Sequence, residues 1–133
     1  MLMSVFLVED IAAIRDSLIE GMEELAPLQF VGQAGGETAA RQWFDANHDN
    51  WDLAIVDLFL AEGSGFGVLK VCQARHPWQK VVVLTSHSQK NILDHCWDLG
   101  ADEVFHKAAD VDKLVDFCRA HAQHLATIPR TVQ

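Results

Sequence analysis

Five residue types that can act on a phosphoryl group stand at the ends of apolar runs. Val5–Val8 stops at Glu9 and Asp10, Leu53–Val56 stops at Asp57, and Val81–Leu84 stops at Thr85, which Ser86 follows. The shorter run Val104–Phe105 leads through His106 to Lys107. Three carboxylates brought together repel one another and call for a cation. An all-oxygen set with open positions suits Mg²⁺, or Mn²⁺ in its place. Asp57, in the middle of the set, is then the nucleophile, since a carboxylate can attack phosphorus and form an aspartyl phosphate. The cation, the Lys107 ammonium and the Thr85 hydroxyl supply the charge and donors that the phosphoryl oxygens need. A small residue at Ser86 leaves room for the group to enter. Any one of these residues alone reads as a turn, a helix cap or a solvated charge. It is their joint occurrence, one group or pair per strand end, that argues for a site.

That argument holds only if the strand ends converge. The four runs are short, continuous and valine-rich, as strands buried on both faces are, and Leu28–Val31 reads as a weaker, alternating edge strand. Helical spacing fills the intervals. Ile11, Ile14, Leu18, Met22 and Leu25 share one face, with exposed Arg15 beside them, and Pro27 closes that helix. Ala39, Ala40, Trp43 and Phe44 suggest a second helix, and Val68, Leu69 and Cys72 a third. Ile92, Cys96 and Leu99 suggest a fourth, with Ser88 a candidate start and Gly100 the stop. Val111, Leu114, Val115, Cys118, Ala122 and Leu125 make the last, with Asp110 as its expected N-cap. Five strands alternating with five helices predict an α/β, flavodoxin-like, doubly wound parallel sheet of order 2-1-3-4-5. In that order the strands carrying Glu9, Asp10, Asp57, Thr85 and Lys107 are neighbours, and ligands bind beyond their carboxyl ends.

The bulk numbers agree with one such domain. The chain has 133 residues, half of them hydrophobic, and a formal net charge of −9. One core is within reach without a disulfide or structural metal. The acidic balance disfavours direct binding to nucleic acid or an anionic membrane. The three cysteines, Cys72, Cys96 and Cys118, are odd in number and well separated, so they read as small buried hydrophobes. The N-terminus lacks a basic start, and no apolar stretch approaches the roughly 20 residues of a membrane helix, so the expected location is the cytoplasm. Residues 1–125 read as the domain and 126–133 as a short tail, native or cut from a linker. The seven histidines are scattered and show no metalloprotease-type spacing. His121 and His124 could share a weak surface metal, and His87 could border the site. The tryptophans at 43, 51, 78 and 97 read as core or anchoring residues, and Gly63 and Gly65 as turn residues.

Glu9–Asp10, Asp57, Thr85 and Lys107 match the signature positions of response-regulator receiver domains, and the resemblance runs from about residue 3 to 125. The segments Asp57–Gly65 (DLFLAEGSG) and Leu99–Lys107 (LGADEVFHK) also resemble that family. The resemblance implies that Asp10 and Asp57 ligate Mg²⁺ directly, Glu9 through water, with the backbone carbonyl of Phe59 completing the protein ligands. It implies a phosphohistidine donor on a sensor histidine kinase or histidine phosphotransfer protein, and a protein target engaged in trans through the fourth helix, fifth strand and fifth helix. Arg15 with Ile11 or Ile14 is the expected kinase-docking face. Such a domain catalyses only its own phosphorylation and dephosphorylation. Three positions depart from the family. Ala108 replaces the usual proline after the lysine, Val104 the usual aromatic switch residue, with Phe105 one place later, and Ala61 a common proline after the acceptor. These bear on readout, in which Ser86, His87, Val104 and Phe105 are the candidate residues. Three other readings are an aspartate-nucleophile phosphatase, a receiver-fold scaffold that works without phosphorylation, and the receiver part of a longer DNA-binding regulator. The phosphatase usually carries a second aspartate where Phe59 stands.

Overall fold

A computed structural model describes residues 2–129. The chain runs β1 (Met3–Val8), α1 (Ala12–Leu25), β2 (Leu28–Ala34), α2 (Glu37–Ala46), β3 (Leu53–Val56), α3 (Gly65–Cys72), β4 (Lys80–Thr85), α4 (Lys90–Asp98), β5 (Glu103–His106) and α5 (Val111–Leu125). All pairings are parallel, in the order β2-β1-β3-β4-β5 that the alternation predicts. β3 is buried along its whole length, and β1 and β4 nearly so, because helices cover both faces. β2 lies at the edge and alternates, and it runs three residues past the predicted Val31, with a register shift against β1 between Val5 and Phe6.

Successive strand residues point to opposite faces, which divides the core in two. Phe6, Val8, Ala54, Val56, Val81 and Val83 pack with α2, α3 and α4. Met3, Val5, Leu7, Leu53, Ile55, Val82 and Leu84 pack with α1 and α5. The three cysteines are buried and free, and burial pushes the Cys72 and Cys118 thiols up to about 12, which keeps them inert. Trp51 and Trp78 are buried, Trp43 stacks on Phe6, and Trp97 is exposed. Among the described residues no helix is long and apolar enough to cross a membrane.

The helix ends correct several sequence expectations. α4 starts after Gln89, not Ser88, and has no side-chain cap. Asp110 does sit at the N-cap of α5, but its Oδ2 accepts from the backbone N–H of His106 (2.8 Å) and so braces the turn after β5 in place of the helix. The α1 stripe is apolar in sequence, yet Ile11, just before the helix, and Leu25, its last residue, are about half exposed. Gly100, at φ +97°, ends α4 as expected. α5 ends at Leu125, Ile128 beyond it packs against the core, and residues 130–133 of the expected tail lie outside the described residues.

Candidate functional site

The β1–α1, β3–α3, β4–α4 and β5–α5 loops meet at the carboxyl edge of the sheet. Parallel pairing of β1 with β3 sets Val8 beside Val56, so Glu9, Asp10 and Asp57 emerge side by side. Glu9 and Asp57 are buried and Asp10 half-buried, and one oxygen of each lies within 4.8 Å of the others. Lys107 arrives from β5. Its Nζ donates to Glu9 Oε1 (2.6 Å) and Asp57 Oδ2 (2.9 Å). Glu9 Oε2 accepts from the Ile11 N–H, and Asp10 Oδ2 from the Ala61 N–H, which ties the β1 end to the loop after Asp57.

That loop is shaped by its neighbours. Ser64 caps α3 through Gly67 N–H, and Gly65 presses so close to Asp57 that a Cβ would lie 2.1 Å from its carbonyl oxygen. Glu62 accepts from the N–H of Thr38 at the start of α2, and Glu37 from the N–H of Ser64. Two carboxylates thus lace the loop to α2 at helix ends that favour negative charge. No local pattern marks either glutamate, since their partners lie 24 and 27 residues away.

Burial drives the Glu9 carboxyl above its usual range, and the bonds from Lys107 and Ile11 only partly offset that. Burial also disfavours the Lys107 ammonium, but Glu9 and Asp57 outweigh it and hold the group above its ordinary value. Three carboxylates against one ammonium leave an excess of negative charge in a confined, all-oxygen cleft. This donor set fits a hard divalent cation, with Glu9, Asp10 and Asp57 as the residues to hold it. Phe59 lies in the loop at the mouth of the cleft, bridged to Ser64.

The remaining predicted residues make none of these contacts with the three carboxylates among the described residues. Thr85 is buried at the end of β4, and its Oγ1 accepts from His87 N–H (3.2 Å). Ser86 is exposed. The His87 ring leans on Phe59, 4.1 Å between centroids. Val104 and Phe105 face opposite sides of β5. Val104 packs toward α4, whereas Phe105 is buried on the α5 side against Phe117. Phe105 therefore does not stand in for a ring at Val104, and a cavity of about 160 Å³ lies among Thr85, Leu93, Val104, Phe105 and Asp110. Arg15 is half-buried, not exposed, because its Nη1 donates to the Glu9 carbonyl (2.7 Å). His121 is buried and hydrogen-bonded to the Asp52 carbonyl (3.1 Å), which removes it as partner of a surface metal with His124.

Comparison with known proteins gives one consistent result. Residues 5–119 match the family model of the response regulator receiver domain. The transcriptional regulatory protein CiaR of Streptococcus pneumoniae is 26% identical over 115 residues, 85% of this chain and 48% of that protein. A cyclic di-GMP phosphodiesterase of Thermotoga maritima is 28% identical over 112 residues, 84% of this chain and 29% of its own length. The chain thus spans half or less of these curated relatives. Among solved structures, a DNA-binding response regulator of the LuxR family from Staphylococcus aureus superposes with a TM-score of 0.80 at 17% identity, covering 90% of this chain and 98% of that one. A Burkholderia pseudomallei response regulator with a phosphorylated aspartic acid and a calcium ion superposes with a TM-score of 0.75 at 21% identity, covering 94% of this chain and 71% of that one.

Proposed function

The chain belongs to the response regulator receiver domains, and on that premise we propose that it takes a phosphoryl group onto Asp57 and switches a protein-binding surface in response. The observation that carries the reading is the convergence of Glu9, Asp10, Asp57 and Lys107 from three strand ends within hydrogen-bonding or ligand distance.

Lys107 engages Oδ2 of Asp57 and leaves Oδ1 for attack. Attack by that oxygen forms an O–P bond as the P–N bond of a phosphohistidine breaks, and the imidazole leaves with its electron pair. Mg²⁺ or Mn²⁺, held by Glu9, Asp10, Asp57 and the Phe59 carbonyl, would supply the positive charge that offsets the incoming phosphoryl oxygens. Lys107 remains within reach to pair with those oxygens. The donor is a sensor histidine kinase or a histidine phosphotransfer protein, as the family implies.

Phosphorylation adds roughly −1.5 to −2 charge. The Thr85 hydroxyl, which accepts from His87 N–H, keeps its own proton to donate to that charge. Turning toward Asp57 draws the Ser86–Ser88 segment with it, and the contact of His87 with Phe59 changes. The surface of α4, β5 and α5 then binds its target differently in the two states.

The test is to incubate the protein with Mg²⁺ and acetyl phosphate and locate the added group by mass. One phosphoryl group on Asp57, absent in Asp57→Asn, is the expected result. An unlabelled wild type, or equal labelling of Asp57→Asn, overturns the reading.

A further inference from the structure

The amino ends of β3 and β4, opposite the carboxylate cleft, carry a second cluster. The turn before β3 and the turn before β4 bring together His48, Asp49 and His76, with one ligand atom of each within 4.8 Å of the others. Asp49 Oδ1 lies 3.1 Å from His48 Nδ1 and within hydrogen-bond reach of His76 Nε2.

The surroundings fix these groups in a ligand-like orientation. His48 Nε2 is 2.9 Å from the carbonyl oxygen of Ala74. A carbonyl only accepts, so the ring proton sits on Nε2, and in the neutral ring the Nδ1 lone pair faces Asp49. Metal-bound histidines are oriented by this same second bond to a carbonyl or carboxylate. The His76 ring lies flat on Trp78, 4.4 Å between centroids and 4° between planes. Gln79 is 1% exposed and clamps both turns. Its Oε1 accepts from His76 N–H, and its Nε2 donates to the carbonyls of His48 and Trp51, each at 2.9 Å.

We propose that His48 Nδ1, Asp49 Oδ1 and His76 Nε2 bind one divalent ion of the Zn²⁺ class. Two imidazole nitrogens converging on one carboxylate oxygen need positive charge between them, as protons or as a cation. Donor atoms about 3.3 Å apart close on a tetrahedral ion at zinc–ligand distances of about 2.0–2.1 Å, close to the 3.1 Å between His48 and Asp49. His48 and Asp49 are exposed, so water completes the coordination. The chain thereby sorts two kinds of metal by hardness. The all-oxygen set around Asp57 suits Mg²⁺, and the two-nitrogen, one-oxygen set suits Zn²⁺, Co²⁺ or Ni²⁺. An ion here adds a cross-link to two turns already joined by Gln79, by the His48–Ala74 bond and by the bond from the Lys80 N–H to the Asp52 carbonyl, so its effect is to stiffen the floor of the sheet.

The test is calorimetric titration of the full chain with ZnCl₂ in excess Mg²⁺, with visible absorption of the Co²⁺ form as a second readout. One equivalent binds, His48→Gln and His76→Gln each weaken binding at least tenfold, and Asp57→Asn leaves it unchanged. In the wild type, where folding of variants is not in question, Zn²⁺ shifts the ring NMR signals of His48 and His76 and not those of the other histidines. Binding retained in the His48→Gln/His76→Gln double variant overturns the proposal. So does binding lost in Asp57→Asn, movement of other histidine signals instead, or no binding at about tenfold excess of Zn²⁺.

Discussion

The Lys107 ammonium sits 2.6 Å from Oε1 of Glu9, a carboxylate only 1% exposed. This contact and its partner on Asp57 set one positive charge against the buried acids. Lys107→Met keeps the stem and removes the charge, which leaves the carboxylates facing one another. Truncating one side of a buried pair costs about 3–5 kcal/mol, and Lys107 is 18% exposed, so a loss near the lower end is expected in chelator. Mg²⁺ should restore much of it, since binding to the folded state at a hundred times Kd adds about 2.7 kcal/mol. Urea melts with and without Mg²⁺ measure both effects. A loss of stability that Mg²⁺ leaves untouched would show that Lys107 acts through packing.

Gly65 and Gly21 should respond in opposite directions to the same change. At Gly65 an added methyl lies 2.1 Å from the Asp57 carbonyl oxygen and 2.7 Å from Leu58 Cα, both backbone atoms that cannot swing aside. Gly65→Ala therefore displaces the loop after Asp57, which should lower stability and, on the proposed function, the rate of labelling by acetyl phosphate together. Gly21 lies inside α1, and a methyl added there meets nothing within 4 Å. Gly21→Ala should raise stability by about 0.5–1 kcal/mol and leave labelling unchanged.

How much of this is legible in the sequence depends on sequence distance. Apolar runs ending in Glu9–Asp10, Asp57, Thr85 and Lys107 stand in order along the chain, and sheet order sets their strands side by side, with Glu9, Asp10, Asp57 and Lys107 in reach of one another. The α1 face misleads because periodicity reports which residues align, not how well each is covered, and Ile11 and Leu25 at its two ends are about half exposed. Arg15 looks exposed because its partner is a backbone carbonyl, which no residue type announces. Asp110 has the expected position and a different bond, since the N–H of His106 competes with the helix for its carboxylate. His48 and His76 meet only because the turns before β3 and β4 end side by side, a contact 28 residues apart that no motif spacing encodes.

Val104 leaves space where a ring would fit. The cavity of about 160 Å³ beside Val104 is also lined by Thr85, Leu93, Phe105 and Asp110. Overpacking a filled interior costs about 1–3 kcal/mol. Val104→Tyr should cost less than about 1 kcal/mol, because the ring enters existing space. Chemical denaturation measures this directly, and a larger loss would mean that the cavity walls cannot accept the ring.

His121 should make the fold sensitive to mild acid. Its ring is buried beneath α5 and bonded to the Asp52 carbonyl. Burial holds its pKa below the ordinary histidine value, aided by Lys80 and His124 and opposed by Asp52. The folded protein thus disfavours the imidazolium that the unfolded chain accepts freely. The unfolded state binds more protons between the two pKa values, so stability rises with pH across that window. The contribution is complete above the unfolded value of about 6.5 and falls away as pH drops below it toward the folded value. His48 is shifted the other way by Asp49 and the Ala74 carbonyl, so its contribution is present in acid and lost as pH rises. A wild-type pH profile therefore mixes both signs, and the difference between wild type and His121→Gln isolates one. Glutamine keeps a donor for the Asp52 carbonyl and cannot titrate. Urea melts between about pH 7.5 and about pH 5, values chosen to bracket the unfolded histidine pKa, should show wild type losing stability relative to His121→Gln as pH falls. Parallel profiles would show that His121 accepts its proton without cost, with the ring free to leave its pocket.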